Sequence, residues 1–437
     1  MTIIFIFWRP GGLNEAVPAS LGAILVLLCG TVSFHDLGDI GSKVTGASIT
    51  IISTMIMAIA LESFGFFNWA AAKLLHRAKG SGIRLFWLTN LLCFSMTLFL
   101  NNDGSVLITT PILLLVLQYL GLKRHQKTPY LISGALIATA ASTPIGVSNI
   151  VNLISLKMIG MDLYLYTNMM FIPGTLGLVF MAFLLFAVFY RRLPKQLPDI
   201  PVHFESLEHK RYHPLQPPPD LSQKNSRTNI MFCVLVFVLF VRISLFAASY
   251  NGISVSLVAV ISSVILLCWR WFYLKIGPAD LLRKAPWHIF IFAFTMYIII
   301  YGLHNIGLTA LLVQSIEPYV SQSIAHAASI MGIATSVLSN LFNNHPALMI
   351  STLTLTEMSI DPLTVKIIYL ANIIGSDIGS LLLPIGTLAT LIWMHIIRQH
   401  GEKVSWSEYI KTTIVVVPLT VVFTITVLYV WISWIYL

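Results

Sequence analysis

Long apolar runs separated by short polar stretches dominate this chain. Runs at about 16–34, 46–63, 168–190, 229–248, 252–272, 287–303 and 411–436 approach the roughly 20 residues a helix needs to cross a ~30 Å hydrocarbon core. Two shorter stretches, 66–77 and 305–319, suit helices lying at the membrane surface: the first is aromatic early and basic late. Residues 1–8 would reach only about 12 Å as a helix and predict a partial span. Four further apolar segments are interrupted: 85–121, 129–160, 325–355 and 363–395. The pattern predicts an all-α polytopic membrane protein. Alternating short segments of the kind that build a membrane barrel are not seen.

The interruptions come in two matched sets. Asn101-Asn102-Asp103-Gly104 breaks the first hairpin-like segment and Asn343-Asn344-His345-Pro346 the second. Gly65 precedes Asn102 by 37 residues, and Gly307 precedes Asn344 by 37. Pro144-Ile145-Gly146 follows the first Asn pair, and the identical Pro384-Ile385-Gly386 follows the second, 42 and 40 residues on. Residues 191–228 differ in kind, with seven prolines, seven Lys/Arg and four Asp/Glu, and read as an exposed basic linker. The expected organisation is a repeat over 1–190, the linker over 191–228 and a second repeat over 229–437. Each repeat would hold three scaffold helices, a re-entrant hairpin, a broken helix and a closing helix.

Composition agrees: 57% hydrophobic, 10% charged and a mean hydropathy of +0.84, against about 25% charged residues in soluble domains. The net charge of +9 sits in loops beside spans, where it sets orientation, so nucleic acid is not an expected partner. The four cysteines are single and inside apolar runs, which fits small buried hydrophobes. No metal site or cofactor is expected.

Charge also orients the halves. The first hairpin is flanked by Lys73, Arg77, Lys79 and Arg84 before and by Lys123, Arg124 and Lys127 after, the second by Glu317, Glu357 and Asp361. The positive-inside rule then makes the repeats inverted, with both chain ends outside. Of the 26 Lys and Arg residues, all but Lys43, Lys157, Arg242 and Lys366 fall inside. Lys43 is the exception in a loop, and Arg242, within a span, could snorkel outward on its stem or pair internally, the first being the expectation. Inverted repeats with broken helices are the build of secondary transporters. Unpaired backbone at a break survives only where protein or a water-filled cavity satisfies it. The plasma membrane is the expected location.

A charge at the bilayer centre costs roughly 2.5–3.5 kcal/mol on insertion scales, so Asp103 and Asp377 are the candidate proton carriers. Asp103 could instead only cap a hairpin arm and Asp377 a broken helix. Candidate substrate contacts are Asn101, Asn102, Thr143, Ser148, Asn149, Asn343, Asn344, Asn372, Ser376 and Thr387. The Asn pairs could also serve loose backbone groups. His345 reads equally as a pH-responsive group or a structural one. Amides and hydroxyls without Arg or Lys suit an uncharged, hydroxyl-rich cargo.

The chain resembles the arsenite efflux permeases (ArsB) of the ion-transporter superfamily. The resemblance rests on Gly65-Phe66-Phe67-Asn68-Trp69-Ala70, Asn102-Asp103-Gly104 through Thr110-Pro111, Val147-Ser148-Asn149-Ile150-Val151-Asn152, Ala285-Pro286-Trp287, Asn343-Asn344 with Pro346, and Pro384 through Leu391. It implies export of trivalent arsenic or antimony as neutral hydroxides in exchange for protons, sometimes with a separate soluble ATPase. A homodimer fits the same reading. The chain itself lacks a phosphate-binding G-x-x-x-x-G-K-[ST] loop and is expected to be a transporter, not an enzyme. Thr139 stands where many members carry an acid and Leu381 where many carry lysine, a joint loss that keeps the charge balance. Silicic or boric acid export and sodium–proton antiport remain open alternatives, since hard cations also take oxygen ligands.

Overall fold

The computed structural model describes residues 14–198, 224–285, 287–320 and 323–436, and its regular elements are all helical among them. The partial span at 1–8, the linker centre at 199–223 and Pro286 lie outside the described residues. In the first half the helices are α1 (Ala16–Leu28), α2 (Phe34–Ser63), α3 (Phe66–Ala78), α4 (Gly82–Phe99), α5 (Asn102–Tyr119), α6 (Arg124–Ala140), α7 (Ile150–Ile159) and α8 (Leu163–Phe189). The second half holds α9 (Lys224–Tyr250), α10 (Val255–Leu274), α11 (Ala279–Lys284), α12 (His288–Asn305), α13 (Leu308–Val320), α14 (Ile324–Phe342), α15 (Asn344–Glu357), α16 (Pro362–Asp377), α17 (Leu388–Gln399) and α18 (Trp406–Ile435). Among the described residues, nine helical stretches are long and apolar enough to cross a membrane. The chain is a multi-pass membrane protein.

Side-chain caps set many helix starts. Ser81 and Asp162 accept from the backbone three residues on, at the starts of α4 and α8. Asp361 accepts from Leu363 N and Thr364 N at the start of α16, and the Thr364 side chain, with these backbone bonds, holds its carboxyl below the usual carboxylate range. Two boundaries differ from the sequence reading. The second span begins at Phe34, not near residue 46, because Ser33 and Asp36 form a reciprocal capping box that starts the helix in its polar stretch. Lys43 is therefore on a helix rather than in a loop. The linker is also shorter than expected. Leu193 and Leu197 are buried, Leu197 N donates to Gly80 O at 2.8 Å, and helix resumes at Lys224.

Helices α4 and α5 form one hairpin, α14 and α15 the other. The helix pairs α6/α7 and α16/α17 are each broken by irregular backbone. Packing crosses between the halves. Helix α17 packs along α5, α7 along α15, α10 against α2, and α12 against α1, while the closing helices α8 and α18 pair with each other.

Candidate functional site

At the first tip the chain leaves α4 through Leu100 (φ −116°, ψ −103°) and restarts at Asn101. Asn101 Oδ1 accepts from Gly104 N at 3.0 Å and Asn102 Oδ1 from Asp103 N at 2.8 Å. A side chain at Gly104 would collide with Asn101 Oδ1, so the glycine is what lets this cap form. Asp103, in the first turn of α5, is 7% exposed.

The second tip is built differently. Asn343 holds φ 79° and ψ 152°, a region that normally admits only glycine and costs about 1–3 kcal/mol. Asn343 Oδ1 accepts from His345 N at 3.3 Å, and its Nδ2 donates to Ile385 O at 3.4 Å. Asn344 N donates to Gly386 O at 2.9 Å, while Ser376 Oγ donates to Asn344 O at 3.5 Å. One turn earlier, Asn340 Nδ2 donates to Ser336 O and Gly379 O, both at 2.8 Å, and its Oδ1 accepts from Leu383 N at 2.8 Å. A side chain at Gly386 would strike the Ser380 carbonyl oxygen. Hairpin and break are thus laced together within one half of the chain.

The two breaks meet at Asp377, which is 1% exposed. Its Oδ2 accepts from Ser142 Oγ and Asn152 Nδ2, each at 2.7 Å, and its Oδ1 from Asn149 Nδ2 at 3.0 Å. All three donors come from the first half. Asn149 also caps α7, its Oδ1 accepting from Val151 N at 3.2 Å. The positive end of α7 and the donors on its first turn therefore face the carboxylate together. Tyr166 and Tyr369 meet edge to face at 6.4 Å, and their hydroxyls donate to Thr143 O at 2.6 Å and Asn152 O at 2.9 Å.

Every residue picked out from the sequence is buried, but they play unequal parts. Ser148 Oγ donates to Thr97 O at 3.1 Å, Thr387 caps α17 through Thr390 N at 3.0 Å, and Asn372 Oδ1 accepts from Thr335 Oγ1 at 3.0 Å. Thr143 Oγ1, Asn152 Oδ1, Asn344 Oδ1, Asn372 Nδ2 and His345 Nδ1 are buried without a hydrogen-bond partner among the described residues. The His345 ring packs on Phe292 of α12, 5.6 Å between centroids. Ser142, Asn152 and Asn340 were missing from the sequence's candidates. The first two had a readable signal: Asn149 and Asn152 are three apart, on one face of a helix, and Ser142 opens the same break. Asn340 carries no comparable sign in the residue order.

Arg242 corrects another expectation. It does not snorkel: it is 4% exposed, and its Nε donates to Phe99 O at 2.8 Å, at the end of the first hairpin arm. An acceptor from the opposite half of the chain outweighs the reach of its stem toward water.

The chain matches the arsenical pump membrane protein family (ArsB) over residues 1–432. A Bacillus subtilis (strain 168) relative is 73% identical over 437 residues, covering 100% of this chain and 99% of its own. An Escherichia coli arsenical pump membrane protein is 32% identical over 415 residues, covering 95% and 93%. Among solved structures, the Alcanivorax borkumensis YdaH transporter superposes with a TM-score of 0.57 at 13% identity, covering 93% of this chain and 90% of that one, a likeness of fold. By sequence along nearly its whole length, the chain belongs to the arsenical pump membrane protein family, membrane permeases for arsenicals rather than enzymes.

Proposed function

We propose that this permease exports trivalent arsenic or antimony as the neutral hydroxide in exchange for protons, at a site shared by two inverted halves. The two halves are residues 1–190 and 229–437, joined by the basic linker. The exchange of helix partners supports the inversion: each half lays the second part of its broken helix along the second arm of the other's hairpin. The observation that carries the site is Asp377, a second-half carboxylate enclosed by Ser142, Asn149 and Asn152 of the first half where both helices are interrupted.

The chemistry follows from the donors and acceptors. A neutral trihydroxide needs hydrogen bonds without a counter-charge. Thr143 Oγ1, Asn344 Oδ1, Asn152 Oδ1 and Asn372 Nδ2 have bonding capacity that the described residues leave unused. Asp103 and Asp377 carry the protons: loading from outside and release inside exchange with cargo moving outward. One proton entering at ~100 mV is worth ~2.3 kcal/mol. At ~1.4 kcal/mol per factor of ten this supports a gradient of roughly 50-fold for an uncharged solute. Work with a soluble ATPase, or as a homodimer, is compatible with this scheme and is not needed for it.

Everted membrane vesicles test the proposal. Arsenite should accumulate inside them when a proton gradient is imposed, and an uncoupler should abolish accumulation. Uptake indifferent to the uncoupler would overturn proton exchange. Uptake of silicic or boric acid in its place, or sodium-driven proton movement without arsenite transport, would reassign the cargo.

A further inference from the structure

The first hairpin tip carries Asn101, Asn102 and Asp103, and its own half holds the arm behind it through Ser148 Oγ to Thr97 O and Thr97 Oγ1 to Ala138 O, short of the tip itself. The second tip is tied to its own break by Asn340, Asn343 and Asn344 N. The arm leading to the first tip ends at Phe99, where the last carbonyls of α4 have no partner in their own helix. Those carbonyls form the negative end of the helix. Among the described residues, one cation reaches them, Arg242 of α9, through its Nε bond to Phe99 O. It comes from the other half of the chain, 143 residues away, on a helix whose other inward positions, Val234, Val238, Val241 and Leu245, are apolar and buried.

A cation at such a position is costly and has to do something in return. A buried guanidinium costs several kcal/mol unless paired, and a spanning helix that only anchors has no need of one. Both Nη atoms of Arg242 are buried without a hydrogen-bond partner among the described residues. The guanidinium is therefore held by a single charge-assisted bond, two residues before Asn101.

We propose that Arg242 is the positioning residue of the first hairpin tip, fixing Asn101, Asn102 and Asp103 for cargo by capping the end of α4. Its unused Nη donors leave it able to take a second tip carbonyl when the hairpin shifts during the cycle. This inference rests on the reading of that tip as part of the arsenite site.

Arsenite uptake into everted vesicles, measured as KM and as maximal rate per folded transporter, separates positioning from mere support. Arg242→Met removes the donor. It should raise KM at least about ten-fold, because misplacing binding groups by ~1 Å costs up to a hundred-fold, while detergent-extracted protein stays monodisperse. Arg242→Lys keeps a charged donor and should restore KM to within about three-fold of wild type. Arg242→Gln, a neutral donor of shorter reach that is easier to insert, should fall between the two. A KM that stays at the wild-type value in both Met and Gln variants, with the rate falling only as folded protein falls, overturns the proposal. If wild-type vesicles take up no arsenite, it is the cargo assignment that fails. The positioning role is then read from thiol labelling of Asn101→Cys, which should quicken when Arg242→Met is added; an unchanged rate overturns it.

Discussion

The two hairpin tips occupy matching places in the sequence and are held by different means. The second is knotted into its own break. Asn340 bridges Gly379 O and Leu383 N, Asn344 N bonds to Gly386 O, and Asn343 holds a backbone geometry made for glycine. The first is closed by local caps, Asn101 on Gly104 and Asn102 on Asp103, and braced from outside its half by Arg242. A tip laced to its break moves with it. A tip held by local caps and by bonds to the arm behind it, Ser148 Oγ to Thr97 O and Arg242 Nε to Phe99 O, can move against its break, and that tip carries the carboxyl group.

The largest effect expected from breaking this arrangement is at the shared carboxylate. Asp377→Ala leaves the buried amides of Asn149 and Asn152 without their acceptor at about 1–3 kcal/mol each, so both folded yield and arsenite export should collapse; wild-type resistance in cells carrying it would remove Asp377 from the site. Asp103→Asn strikes at coupling instead. Protein should still accumulate, while uptake into vesicles should lose its dependence on the proton gradient.

Next comes the knot itself. Asn340→Ala removes three bonds of about 0.5–1.5 kcal/mol each and should lower the melting temperature in detergent. An unchanged melting point would mean that the second tip is not held this way. Smaller again is the backbone test at Asn343. Both Asn343→Gly and Asn343→Ala delete the side-chain bonds, but only glycine releases the strain. The glycine variant should be the more stable of the two by about 1–2 kcal/mol; equal stabilities would show that no strain is stored. The smallest effect belongs to Lys127 and Glu402, an ion pair at 2.6 Å joining the first turn of α6 to the segment after α17. Lys127→Ala should cost no more than about 1 kcal/mol.

Much of this could be read from residue order. The spans followed from run lengths near 20, the hairpins from paired apolar arms around Asn101–Asp103 and Asn343–His345, and the breaks from two Pro-Ile-Gly tripeptides. The start of α2 was misread because polar residues ended the apolar run while Ser33 and Asp36 carried the helix on beyond it. Burial of the candidate residues was readable too, since polar groups inside apolar sequence must face protein. Their partners were not. Asp377 and Ser142 are 235 positions apart, and no local pattern encodes a bond across such a separation.

The sequence alone determined that the chain is a multi-pass helical protein, where its helices are interrupted, and which polar groups must be sheltered from lipid. Hydrocarbon thickness and unsatisfied peptide groups impose those features on any chain of this pattern. Only the tertiary structure decided that Arg242 turns inward to a carbonyl, that Asn340 fastens the second tip, and that Asp377 is clasped by the opposite half. Each of these depends on which helices come to lie side by side, because a hydrogen bond is set by distance in space and not by distance along the chain.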